Sequence, residues 1–170
     1  NHLRVDDSGI DDDYISALIV AAREIAESYT ELALITQKWE LSLDEFPSGD
    51  IEIPLPPLLS VESVKYFDSD NAEQTLDSGD YYVDTRRKPG RVVVVDSWPD
   101  TYDRPNAVVV AFTAGYGANG SAVPMPIRQA MLLLVGEMFE SREESVVGVS
   151  ATALPLTAER LLFPYRRLRA

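Results

Sequence analysis

Between Asp11 and about Tyr29, the apolar residues Ile15, Leu18, Ile19, Ala22, Ile25 and Tyr29 return at three- and four-residue spacing, which sets them on one stripe of a helix. From residue 33 to 114 the period drops to two. "LITQKWELSLDEF" places Ile35, Trp39, Leu41 and Leu43 on one face and Thr36, Lys38, Glu40 and Ser42 on the other, as a half-buried strand requires. "DIEIPLPPL" continues the alternation through Ile51, Ile53 and Leu55, but its prolines confine it to a sheet edge or a strand end. Further strands are predicted at "SVKYF", "DYYVD", "GRVVVVD" and "NAVVVAFTAGY", separated by turn chemistry at "DSDNAEQ", "RRKPG" and "WPDTYDRPN". The expectation is an antiparallel meander of short strands with no helix between them.

Beyond the glycines of "GYGANG" the helical period resumes. Ile127, Ala130, Met131, Leu134 and Met138 form a stripe that Leu132, Leu133, Val135 and Phe139 widen, so this helix is buried on more than one side, in its own core or against a second subunit. "ESREESVVGVSA" reads as a helix end and a loose loop, and "LPLTAERLLFPYRRLRA" as a short helix from about Thr157 that stops near Pro164. The fold class is therefore α+β: a helical core from the N- and C-terminal helices with an inserted antiparallel β subdomain. The divisions fall at 1–32 for the first helix, 33–114 for the insertion, 115–145 for the glycine turn and long helix, and 146–170 for the loop, short helix and basic tail.

Charge and composition narrow the chemistry. The 170-residue chain has no cysteine and a single histidine, His2, which removes disulfides, thiolate metal sites, cysteine nucleophiles and the usual general base. A formal charge of −13 disfavours phosphate-dominated binding to nucleic acid by the molecule as a whole. The exception is the C-terminal end, where Arg160, Arg166, Arg167 and Arg169 stand against Glu159 alone, a neighbour too close along the helix to pair across a turn. No apolar run is long enough for a helical membrane span and no signal-peptide layout opens the chain, so a soluble protein is expected. The first residue is Asn1 rather than Met, and native residues are expected before it.

Each motif that resembles a catalytic or ligand site fails on context. Gly115, Gly117 and Gly120 spell GxGxxG, but a dinucleotide fingerprint joins strand to helix inside a βαβ unit, with an acid on a following strand tip. Here the glycines close an antiparallel region, Pro124 and Pro126 precede the helix body, and Glu137 and Glu140 fall inside that helix. "DSDNAE" opens like a calcium loop yet puts Ala72 at a ligand position and Glu73 where glycine belongs, which leaves a hairpin turn. Asp11, Asp12 and Asp13 suit the first helical turn as caps; as metal ligands they would point in different directions. No cofactor is implied.

The segments that remain distinctive form an ordered series: "HLRVD" ahead of the acidic cap, "AAREIAESYT" in the first helix, then "QKWELSLDEFP", "IPLPPLLSVESVKYFD", "YYVD", "VVVAFTAGYG", "VPMPIRQAMLLLVGEMFESRE" and "LLFPYR". In this order, over nearly the whole chain, they resemble the head-tail connector proteins (adaptor or head-completion proteins) of long-tailed bacteriophages and the related gene transfer agents. The resemblance implies a structural virion protein, not an enzyme, located in the neck at the capsid vertex and assembled in the bacterial host cytoplasm. It implies a dodecameric homo-oligomeric ring beneath the portal protein, with the stopper or tail-terminator protein on its other face and no membrane. DNA would pass through the lumen without sequence-specific binding, along an acidic wall to which it does not stick.

Carried onto this chain, the resemblance makes Leu161, Leu162, Phe163, Tyr165, Arg166, Arg167 and Arg169 the portal-docking segment, and deletion of 161–170 is expected to leave a folded chain that no longer docks. The plainer alternative is a short helix packed on its own subunit with solvated arginines. The long helices would form the ring body, with Ile127, Met131, Leu134, Val135, Met138 and Phe139 as the subunit interface. Gly115, Gly117 and Gly120 would be the joint on which the β insertion tilts. That insertion is larger than in the all-helical minimal members, which leaves its partner open. Two other readings are a tail-tube or neck protein beyond the stopper, against which the helix-β-helix order argues, and a nucleotide-binding accessory enzyme using the glycine loop.

Overall fold

The structure is a computed structural model describing residues 10–140 and 154–167. The chain is α+β, and it divides into two compact units. One is helical, drawn from Asn1–Glu31 and Gly120–Ala170, and the other is the β unit, Leu32–Asn119. "HLRVD", Arg169 and most of "ESREESVVGVSA" lie outside the described residues.

In the helical unit, α1 (Ile10–Thr30) packs against α2 (Met125–Glu140) and α3 (Leu156–Leu162), and α2 packs against α3. The buried ridge of α1 runs through Leu18, Ala22, Ala26 and Thr30 at i, i+4 spacing, with Ile15, Ile25 and Tyr29 half-buried beside it. The predicted stripe thus holds except at Ile19, which is 49% exposed. The ridge centres on two alanines, and Ile19 lies about a third of a turn round from Leu18. Thr30 is fully buried, and its hydroxyl donates to the Ala26 carbonyl at 2.6 Å. Glu31, at φ +56, adopts the left-handed conformation that commonly ends helices. Tyr14 and Phe139 stack at a tilt with centroids 6.2 Å apart, which puts the start of α1 beside the end of α2. Pro126 is the second residue of α2, where its missing N–H is harmless.

The β unit holds two antiparallel sheets that share one core. The larger has the order β1 (Gln37–Leu43), β7 (Val108–Ala114), β3 (Leu58–Phe67), β4 (Glu73–Thr75); the smaller runs β2 (Ile51–Glu52), β6 (Arg91–Val94), β5 (Tyr81–Asp84). The pairing is antiparallel as expected, but a meander is not formed. The first and last strands are neighbours, because β7, with alternate residues Val108, Val110, Phe112 and Ala114 all buried, takes a central place between β1 and β3. Ile51, Ile53, Tyr81 and Val92 from the smaller-sheet region complete the same core with Leu58 and Val64. The strand β2 of the proline-bearing segment is indeed an edge strand, reduced to Ile51–Glu52 ahead of the prolines. Trp39 shares the face of Phe112, but on the edge strand β1 it stays 43% exposed. Between β3 and β4 the Asp68 side chain accepts from the Asp70 and Ala72 N–H groups, making the predicted hairpin turn.

The glycine turn belongs to the β unit, which continues past Ala114 to Asn119. Thr36 N–H donates to Gly117 O, Tyr116 N–H to Leu34 O and Gly115 N–H to Pro57 O. Gly115 has φ +132, and a Cβ there would stand 2.5 Å from the Ile35 carbonyl. The expected joint is therefore, at Gly115, a close backbone approach that only glycine fits. Gly120, at the boundary of the helical unit, has open space around it.

Candidate docking surface

The C-terminal arm is built onto the end of α1. In α3, Ala158 and Leu162 lie one turn apart and are both fully buried, so this pair anchors the helix. The turn Phe163–Tyr165 that follows contains Pro164, which stops the α-helix where the sequence places the stop. Arg167 N–H then donates to the Thr30 carbonyl at 3.1 Å, one of those left open at the C-terminus of α1.

Tyr29 is the hub of this contact. Its hydroxyl donates to Glu159 Oε1 at 3.3 Å, and the Arg166 guanidinium lies 5.4 Å from its ring centroid. Burial, followed by the Glu159 charge and hydrogen bond, pushes the Tyr29 phenol above its ordinary value, while Arg166 acts the other way. The phenol is a neutral donor at physiological pH, suited to positioning rather than proton transfer.

The expected docking residues therefore divide. Leu162 is a core residue, and an arm cut off at 161 would take with it both this anchor and the Arg167 bond to α1; the expected folded truncation does not follow. Phe163 is 57% exposed, Arg166 is exposed, and Leu161, Tyr165 and Arg167 are half-buried. Exposed Leu156 and Arg160 add to the outward face of α3. The arm packs on its own subunit, as the plainer alternative has it, and still presents an aromatic ring and two cations outward.

The expected subunit-interface set divides in the same way. Ile127, Leu134 and Val135 are buried, and with Ala130 they are the face α2 spends inside the chain. Met131, Met138 and Phe139 are half-buried. The outward apolar residues of the long helices are others: Ile19 and Val20 on α1, and Met125 and Leu132, seven residues apart and so on one face, on α2. The apolar breadth of α2 signalled an extra contact, but periodicity alone does not say which side the chain uses itself.

No group of three or more His, Asp or Glu side chains among the described residues gathers where a metal ion could be held. No helix among them is long and apolar enough to cross a membrane.

No protein-family model and no curated protein matches the chain. Solved structures do. A chain in the virion of a native gene transfer agent particle superposes with a TM-score of 0.79 at 24% identity, over 99% of this chain and 87% of that one. A chain in the neck of the empty particle, computed with C6 symmetry, gives 0.79 at 25% identity over 99% and 84%. A chain in the neck of the native particle, computed with C12 symmetry, gives 0.74 at 24% identity over 94% and 85%. The fold of this chain is the fold of a protein in the gene transfer agent neck.

Proposed function

We propose that this chain is a structural component of a particle neck: a connector that assembles as a ring of identical copies, docks beneath the portal and carries DNA through its centre to the tail side. The observation that carries the reading is the likeness over 99% of the chain to a chain of the symmetric gene transfer agent neck. The residues fit this role. Ile19, Val20, Met125 and Leu132 stand outside the helical unit although its interior is already filled by alanines and larger aliphatic residues, and such exposed apolar side chains suit surfaces completed by neighbouring copies. Ile19, Val20, Met125 and Leu132 are the interface residues on this account, and they replace the buried Ile127, Leu134 and Val135.

Portal docking falls to the outward part of the C-terminal arm, Phe163 with Arg160 and Arg166, because an exposed aromatic beside arginine is the usual concentrated contributor at an interface. Leu162 holds the arm in place. The role is structural and needs no cofactor. The test is incorporation: a chain carrying Phe163→Ala and Arg166→Glu should fold, remain soluble and be missing from the necks of purified particles. Normal incorporation of that variant would remove the arm from the docking role.

A further inference from the structure

The β5–β6 hairpin carries opposite charges at its two ends. At its tip, between Asp84 and Arg91, Arg86 and Arg87 are exposed, and the exposed Lys88 leans on the Tyr116 ring at 5.9 Å. The tip is held from below. Arg91 pairs with both Asp84 and Asp50, tying β5, β6 and the entry to β2 together. That arrangement consumes Arg91 and leaves Arg86 and Arg87 with no ion pair among the described residues.

At the other end stand three exposed aspartates. Asp80 N–H donates to Asp77 O, and Val95 N–H donates to Asp80 O, which brings Asp77, Asp80 and Asp96 to one end of the strand pair. None of the three has a cation paired with it among the described residues. The strands between the two ends are four residues long, about 13 Å at the usual rise, more than the screening length of about 8 Å at physiological salt. The two charges therefore do not satisfy each other within one copy. β5 is also an open edge of its sheet, and between the charged ends it shows Tyr82, 67% exposed, and Val83.

We infer that this edge is a contact between copies of the chain, in which the basic tip of one copy meets the Asp77, Asp80 and Asp96 end of the next. The inference rests on the ring reading above. Two features select a second copy over DNA phosphate as the occupant. The matching acidic surface is present on the same molecule, and a chain of charge −13 repels both DNA and its own copies unless a local pairing offsets the repulsion. A contact joining different ends of two identical molecules is heterologous, the kind that closes into a ring.

The test is a charge exchange read in purified particles. Arg86→Glu with Arg87→Glu should lower the amount of this chain in the neck by about tenfold, the scale of a lost set of interfacial charge pairs. Asp77→Lys with Asp80→Lys should do the same. All four substitutions together restore complementarity between copies and should restore incorporation. Carbodiimide coupling of wild-type particles should join Lys88 to Asp77, Asp80 or Asp96 of another copy. Unchanged melting midpoints of the purified variants establish that folding is intact. Normal incorporation of either double variant overturns the contact while leaving the ring standing. Failure of the fourfold variant to recover, with the tip variant also losing DNA retention, assigns the tip to DNA instead. Wild-type necks without a ring of this chain would remove the reading beneath both.

Discussion

The two units close their cores with different mixtures of side chains. In the helical unit Ala22, Ala26, Ala130 and Ala158 share the interior with Leu18, Ile127, Leu134, Val135 and Leu162, while Ile19, Val20, Met125, Leu132, Leu156 and Phe163 remain outside. In the β unit the interior is mostly large residues, with Phe112, Ile51, Ile53, Val64, Val92, Val108 and Val110 buried almost completely, while Trp39, Leu59, Tyr82, Val83, Val95 and Tyr102 remain outside. Its position-specific features are backbone approaches and bridged charges, as at Gly115 and at the Asp50–Arg91–Asp84 group. Helices that meet partly through alanines approach closely, and the apolar residues they leave outside are free for others. A sheet core closed by Phe112 finishes its own packing and leaves Trp39, Tyr82 and Val83 exposed on edge strands.

Truncation tests both cores. Phe112→Ala should cost about 3–5 kcal/mol and Leu162→Ala about 2–5 kcal/mol, read by denaturant unfolding. The Leu162 variant should also release the C-terminal arm, detectable as new protease cleavage after residue 156. A fully stable, protected Leu162→Ala protein would break the claim that the arm is part of the helical core.

Backbone geometry gives the next largest effect. Gly115→Ala should destabilise by about 1–3 kcal/mol or more, because its φ of +132 and the Ile35 carbonyl both exclude a Cβ. Gly120→Ala, with nothing near it, should stay within about 0.5 kcal/mol of wild type. Equal effects at the two positions would contradict the assignment of Gly115 to the interior of the β unit and leave Gly120 no better candidate for a joint.

Surface positions should separate stability from assembly. Phe163→Ala should change stability by less than about 1 kcal/mol yet reduce incorporation into particles, the reverse of what Phe112→Ala does per unit of destabilisation.

The smallest effect expected is electrostatic. Burial alone would raise the Glu62 carboxyl, but hydrogen bonds from Thr113 and Ser60 outweigh it and hold its pKa below the ordinary value. Its stabilisation is therefore present above the unfolded pKa of about 4.5 and is lost as pH falls through the lowered folded value. Thermal melts between neutral pH and about pH 3 should show a slightly shallower acid decline for Glu62→Gln than for wild type.

Much of this was legible in the residues. The α+β class followed from the switch of period between 3.6 and 2, and the three helices, the edge character of β2 and the Asp68 turn followed from local chemistry that tertiary structure did not overrule. What pattern could not supply was pairing. Strand alternation marks the two faces of β7 without saying that β1 is its neighbour, and an antiparallel order built on sequence adjacency gave a meander. The same gap affected the site. Apolar spacing marked Ile127, Leu134 and Val135 as important, but whether they face their own chain or another depends on where α1 and α3 dock. Leu162 and Phe163 are adjacent in sequence and opposite in role, which spacing within a seven-residue helix does not resolve.

The central claim is a place in the neck. Symmetry-resolved electron microscopy of particles purified with and without this chain tests it most directly. A connector role predicts a ring of density at the capsid vertex that fits both units of the chain and vanishes, together with tail attachment, when the chain is absent. Tailed particles with an unaltered neck in the absence of the chain would contradict it.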